Sequence, residues 1–231
     1  AMPALIQRYQ LDHASLAHLY TVRNGIARDE EFGRFYRQWL GALDALPFDT
    51  LGVEDRIDWV MLRNQIEFEL REQTDVASRF REAEPLATFA RPLIDLAEAR
   101  RLMQVQDGRA TAALLQKSLG AVQQATERLK AGGDLSSSKP VASRSTANRA
   151  VKVLGELSED LKEWYAYYDG YDPQLTWWVK QPYIALDKAI ADYSALLDER
   201  LVGKASTKLL NVTGDPIGRD GLVSAFKREM L

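Results

Sequence analysis

Apolar residues recur along this chain at alternating steps of three and four, the spacing that lines one side of an α-helix. The cleanest run lies between 147 and 168, where Ala147, Ala150, Leu154, Leu157, Leu161, Trp164 and Tyr168 form one continuous seam. Ser143 or Ser145 stands where an N-cap is needed, and Gly170 and Pro173 in "DGYDP" mark the end of the helix. Asp172 and Pro173 then read as the cap and first position of the next helix. Its stripe continues through Leu186, Ile190, Tyr193, Leu197 and Leu201. Pro182 lies in its path and predicts a kink or break, because proline lacks an amide hydrogen and its ring crowds the preceding turn.

Earlier segments follow the same rule. Residues 4 to 23 place Leu5, Tyr9, Leu16, Leu19 and Tyr20 largely on one side. Residues 29 to 46 open with Asp29, Glu30 and Glu31, which suits the positive end of a helix dipole, and stop before Pro47. Their apolar set is Phe32, Phe35, Tyr36, Trp39, Leu40 and Leu43. A long helix over 53 to 82 carries a broad apolar face of Ile57, Val60, Met61, Ile66, Phe68 and Leu70. Residues 85 to 105 and 108 to 131 give two more helices. The stretches 131 to 143 and 202 to 216 read as loops, and "KLLNVTG" at 208 to 214 is the one short β-like candidate. The expected fold is therefore all-α, an elongated bundle of roughly six to eight helices with little or no β-structure. The organisation predicted is a helical region over 1–202, then a linker and the start of a further region over 203–231.

Composition narrows the classes. With 231 residues, 46% apolar and 27% charged, the chain is long enough for a sizeable core. A net charge of −3 gives no electrostatic reason to expect nucleic acid or an anionic membrane as the main partner. The absence of cysteine excludes disulfides, thiolate catalysis and cysteine–zinc sites. No apolar run reaches the roughly 20 residues that span a bilayer. Ala1 ahead of Met2 suggests that the chain start is not a native one.

Chemistry-bearing patterns are few. His13 and His18 are the only histidines and, five apart, they diverge on a helix, so no metal-binding His pair forms. Glu156, Glu159, Asp160 and Glu163 lie opposite the Leu154–Leu157–Leu161 seam and read as a solvated face. "SSSK" at 136 to 139 matches S-x-x-K but sits in a loop before Pro140, without the later elements that motif needs. The most distinctive feature is aromatic: "WYAYYDGYDPQLTWWVKQPY". Trp164 and Tyr168 belong to the seam. Trp177, Trp178 and Tyr183 are the candidates for lining a binding groove, since aromatics with polar handles favour such places. Arg219 follows Asp215 and Pro216 at the start of a last helix containing Leu222, Val223 and Phe226, where a cation can meet an anionic ligand or pair with Asp215 or Asp220.

Three stretches in order carry a resemblance: "VEDRIDWVMLRNQIEFEL" (53 to 70), "YDPQLTWWVKQPYIALDKAIADY" (171 to 193) and "GDPIGRDGLVSAFKREM" (214 to 230). "EPLATFARPLIDLAEARR" (84 to 101) adds weaker support. Together they resemble the N-terminal portion of the bacterial "domain of unknown function 885" family of zinc-peptidase-like proteins. Asp220 stands where that family usually has Glu, and Gly221 where it more often has Ala. The resemblance implies a helical region that shapes a substrate cleft, with an exported or periplasmic setting. It also implies that zinc belongs only to a C-terminal region with a stretch of the form H-E-x-x-P-G-H-H, which this sequence does not contain. No catalytic or metal-binding residue carries over. The chain alone is expected to be inactive, with Trp177, Trp178, Tyr183 and Arg219 as substrate contacts. Its expected partners are that catalytic region, a peptide substrate and, through exposed apolar surface, a second copy. The alternative is a free-standing helical binding or scaffold module without catalysis.

Overall fold

Among the described residues eight α-helices carry the periodic segments: α1 (Met2–Leu19), α2 (Ile26–Asp44), α3 (Val53–Ala83), α4 (Ala90–Arg101), α5 (Gly108–Lys130), α6 (Arg144–Asp169), α7 (Pro173–Leu197) and α8 (Gly218–Glu229). The structure, a computed structural model, describes residues 2–131, 142–202 and 215–229. Among these residues the fold is all-α, with no strand. The β-like stretch at 208 to 214 and the S-x-x-K at 136 to 139 lie outside the described residues, as do most of the two expected loops. No described helix is long and apolar enough to cross a membrane.

The chain divides into two compact units, Ala1–Ser78 with Pro216–Leu231, and Arg79–Asp215. The first division falls inside α3. The predicted organisation separated 1–202 from 203–231; the structure groups residues 216–231 with the N-terminal helices.

In the first unit, Met2, Tyr9, Phe32, Tyr36, Leu43, Leu62 and Ile66 form the core, with Phe35, Trp39 and Leu70 packed against it. The indole of Trp59 donates to the carbonyl of Leu43 at 2.9 Å and ties off the last turn of α2, ahead of Pro47. The broad face expected on α3 is narrower. Leu62 and Ile66, one turn apart, face the core, whereas Ile57 and Met61 are 49% and 57% exposed. One side of α3 meets its neighbours, and the adjoining stripe stays in solvent.

In the second unit every residue of the α6 seam is buried, from Ala147 to Tyr168. Removing a large apolar side chain of this kind from water contributes about 1.5–3 kcal/mol, so the seam is one main source of the unit's stability. α7 packs against both α5 and α6, and α4 against α6. Leu186, Ile190, Tyr193 and Leu197 are buried as their spacing predicts. α7 is not broken at Pro182; it runs from Pro173 to Leu197 with the proline buried inside it. Burial of both flanking turns outweighs the lost backbone bond.

Three helices of the second unit, α5, α6 and α7, start on a side-chain cap. Ser143, rather than Ser145, caps α6 by accepting from the Thr146 amide at 3.1 Å. Asp107 caps α5 from the Ala110 amide at 2.7 Å, and Asp172 caps α7 from the Leu175 amide at 2.9 Å. The segment expected as one helix over 85 to 105 is a 3-10 turn, Glu84–Leu86, followed by the shorter α4. α4 ends where Met103 adopts a left-handed φ of 52°. α8 begins at Gly218, whose φ of 71° suits glycine, and not at Pro216. Asp215 does not serve as its cap, because its carboxylate is held elsewhere.

Candidate binding groove

Two helix starts in the second unit border one groove of about 340 Å³. The last two residues before α5 and its first turn supply Gln106, Asp107, Gly108 and Arg109; the start of α7 supplies Asp172, Gln174, Leu175 and Trp178. Both aspartates spend a carboxylate oxygen on capping, which fixes where each helix begins and hence where the groove lies. Leu175 is buried and forms an apolar floor.

Trp178 is the wall. Its indole lies against the backbone of Gly108, so closely that a Cβ built there would stand 2.7 Å from Trp178 Cδ1. Glycine is needed at 108 for this approach, not for an unusual backbone angle. The Arg109 guanidinium sits over the same indole, 4.8 Å from the ring centroid. A cation over tryptophan is attracted by the negative face of the ring, about 0.5–1 kcal/mol where solvent reaches it. Trp177 packs edge-on to Trp178 at 4.7 Å and is 73% exposed. The groove thus presents an aromatic wall, one guanidinium, two carboxamides and two partly engaged carboxylates. Such a set has the groups to stack on and hydrogen-bond an extended polar chain; it holds no nucleophile paired to a base.

The structure separates the four candidate contacts. Trp178 lines the groove, and Trp177 stands beside it facing solvent. Tyr183 is not in the groove: it is buried and stacks on Tyr165 of α6, rings 4.2 Å apart and within 6° of parallel. Burial, then the charge of Asp187, pushes its hydroxyl up to about 12. Arg219 is exposed on α8 and belongs to the first unit. Gly108 and Arg109 went unnoticed in the sequence. The available signal was an Asp-Gly-Arg helix start, equivalent in its cap to the Asp-Pro start of α7.

Two further polar clusters stand out. Arg149, buried on α6, holds Asp215 at 2.8 Å and also pairs with Glu82, while Lys152 reaches Asp215 at 3.4 Å. Partial burial raises the Asp215 carboxyl, but the hydrogen bond and charge of Arg149, with Arg79 and Lys152, outweigh it and hold the group below the usual carboxylate range. In the first unit, Tyr9 donates to Glu69 at 2.8 Å, and His13 Nε2 lies 3.4 Å from the same carboxylate oxygen and 3.3 Å from the Tyr36 hydroxyl. Burial and the nearby Glu69 push both tyrosines well above their ordinary range, so they remain protonated. Tyr9 and His13, four apart on α1, share a face, a pairing visible in the sequence once Glu69 is brought to it.

Among the described residues no group of three or more His, Cys, Asp or Glu side chains is placed to hold a metal ion. Zinc in a peptidase needs three protein ligands and an open position. The described donor set does not fit it. Compared with protein-family models, curated proteins and solved structures, the chain matches none.

Proposed function

We propose that this chain is the N-terminal helical region of a zinc-peptidase-like protein and that it binds peptide in the groove between the starts of α5 and α7. The observation that supports the reading is the Trp178 wall, seated on Gly108 and faced by Arg109. An aromatic wall takes an apolar side chain, Arg109 takes a carboxylate, and Gln106 and Gln174 can meet backbone amides. The family resemblance rests on the three sequence stretches, and with it the exported or periplasmic setting and the metal-bearing partner region. In this reading the described residues bind and the metal chemistry belongs to that region; no step of it is assigned to this chain.

Titration with short peptides containing one acidic residue, followed by tryptophan emission and calorimetry, tests the groove. Saturable binding is expected, weakened about tenfold in Arg109→Gln, the size of one lost charge-assisted contact, and about three- to tenfold in Trp178→Ala, which removes the stacking wall. Equal binding by both variants would remove the groove from the proposal. Metal analysis and a peptidase panel on the chain alone test its catalytic silence; turnover with stoichiometric zinc would overturn it.

A second copy, the other partner expected of this reading, has a surface to cover. Val53, Ile57 and Met61 form an exposed apolar stripe on α3. In this reading a second copy covers the stripe. Sedimentation equilibrium should then show a dimer that Met61→Glu dissociates, and a wild-type monomer at all concentrations would dismiss it.

A further inference from the structure

In the first unit, α3 and α8 face each other across a cleft of about 370 Å³. Asn64, Glu67, Phe68 and Arg71 line it from α3, spaced to share one side of that helix. Asp220, Val223, Ser224, Lys227 and Arg228 do so from α8 with the same spacing. Two helices meeting along apolar stripes would interdigitate and leave no such space. Here most facing positions are polar, with Phe68 and Val223 the apolar exceptions, and the space remains.

The lining has hydrogen-bond donors without acceptors. Asn64 Nδ2 is buried with no hydrogen-bond partner. Arg71 Nε is likewise buried without a hydrogen bond, its ion pair to Asp75 standing off at 3.7 Å. A buried donor left unsatisfied is costly, and a small shift of either side chain would let an acceptor in the cleft meet it. Lys227 and Arg228 add two further cations, against the carboxylates of Glu67 and Asp220. Glu67 is already taken by Arg63 at 2.9 Å. With Glu67 engaged by Arg63, the three cations Arg71, Lys227 and Arg228 are met in the lining only by Asp220, a balance that favours an anion. The cleft also holds an apolar surface: Phe68, with the Arg228 guanidinium 4.4 Å over its ring.

We propose that the α3–α8 cleft is a binding site for a small organic oxyanion with one flat apolar arm, its carboxylate or phosphate held by Arg71, Asn64 and Lys227 and its arm laid on Phe68. The shared chemistry is the planar or tetrahedral oxyanion that a guanidinium can meet with two parallel hydrogen bonds. The volume lies at the lower end for small-molecule sites, which fits a ligand about the size of a phenylalkanoate. This site lies wholly within the first unit and stands whether or not the groove of the second unit takes peptide.

The test is calorimetric titration of the 231-residue chain with 3-phenylpropanoate, phenethyl phosphate and the neutral 3-phenylpropanamide. Both anions are expected to bind at one site, and the amide at least about tenfold more weakly, since it lacks the charge that the cations recognise. The tighter of the two anions identifies the ligand as carboxylate or phosphate. Arg71→Gln and the exposed Lys227→Gln should each weaken the anions about tenfold and leave the amide unchanged. Arg109→Gln, in the other unit, should change nothing here. Lys227→Gln keeps the test decisive if Arg71→Gln unfolds. Absence of anion binding up to concentrations on the order of 10 mM, amide binding equal to that of the acids, or full affinity in the folded variants would each overturn the assignment.

Discussion

Replacing Gly108 by alanine adds one methyl group at the point where α5 meets the indole of Trp178. The new carbon would stand 2.7 Å from Cδ1, 3.2 Å from Cγ and 3.3 Å from Cβ of that side chain. Carbon atoms in contact prefer about 3.5–4.0 Å, so the ring must retreat by about 1 Å. Overpacking of this kind costs about 1–3 kcal/mol. Alanine returns up to about 1 kcal/mol through its better helix propensity, and less at a first turn than in a helix interior. The net expectation is a stability loss of about 0–2 kcal/mol, with a larger effect on the groove. Moving the indole separates it from Arg109 and from the edge of Trp177, and displaces the wall of the groove proposed to take peptide. Urea unfolding, tryptophan emission and peptide titration read the three consequences. The controls are Gly120→Ala in α5 and Gly155→Ala in α6, where an added Cβ meets nothing within 4 Å. Both should stabilise the chain by about 0.5–1 kcal/mol and leave emission and binding alone. If Gly108→Ala behaves like these controls, Trp178 does not rest on Gly108, and the geometry of the groove is wrong.

The Tyr193 hydroxyl donates to the carbonyl of Leu86 at 2.8 Å inside the second unit. Tyr193→Phe leaves that carbonyl without its donor and should cost about 1–3 kcal/mol by urea unfolding at neutral pH; a change near zero would mean that water reaches Leu86. Burial pushes Tyr193 from 10.0 up to about 12. A phenol whose folded value is raised keeps its full contribution below pH 10 and loses it as pH rises towards 12, because the unfolded chain ionises first. Alkaline unfolding should therefore be less steep in Tyr193→Phe than in the wild type. Asp215 gives the opposite sign. Its folded value is lowered by Arg149 and its neighbours, so its contribution is present above the ordinary carboxylate range and fades as pH falls through the lowered value. Asp215→Asn should flatten the acid limb of the stability profile, and an unchanged limb would show that the pair with Arg149 does not form in solution.

Local order was written in the residues themselves. The α6 seam, the Asp172 cap and the arrest of α2 before Pro47 each depend on neighbours within a turn or two, so spacing and side-chain chemistry suffice to find them. The all-α class follows from the same periodicity. Tertiary structure decided what depends on residues far apart in the chain. It chose Leu62 and Ile66 over Ile57 and Met61 as the buried face of α3, because only packing selects one of two adjoining apolar stripes. It carried α7 through Pro182, where burial of both flanking turns overrides one missing backbone bond. It parted two adjacent tryptophans, laying Trp178 on Gly108, seventy residues earlier, while Trp177 turned to solvent. It drew Asp215 away from the helix it precedes and onto Arg149. A helix pattern fixes which residues share a face; which face is met, and by what, is a property of the assembled helices.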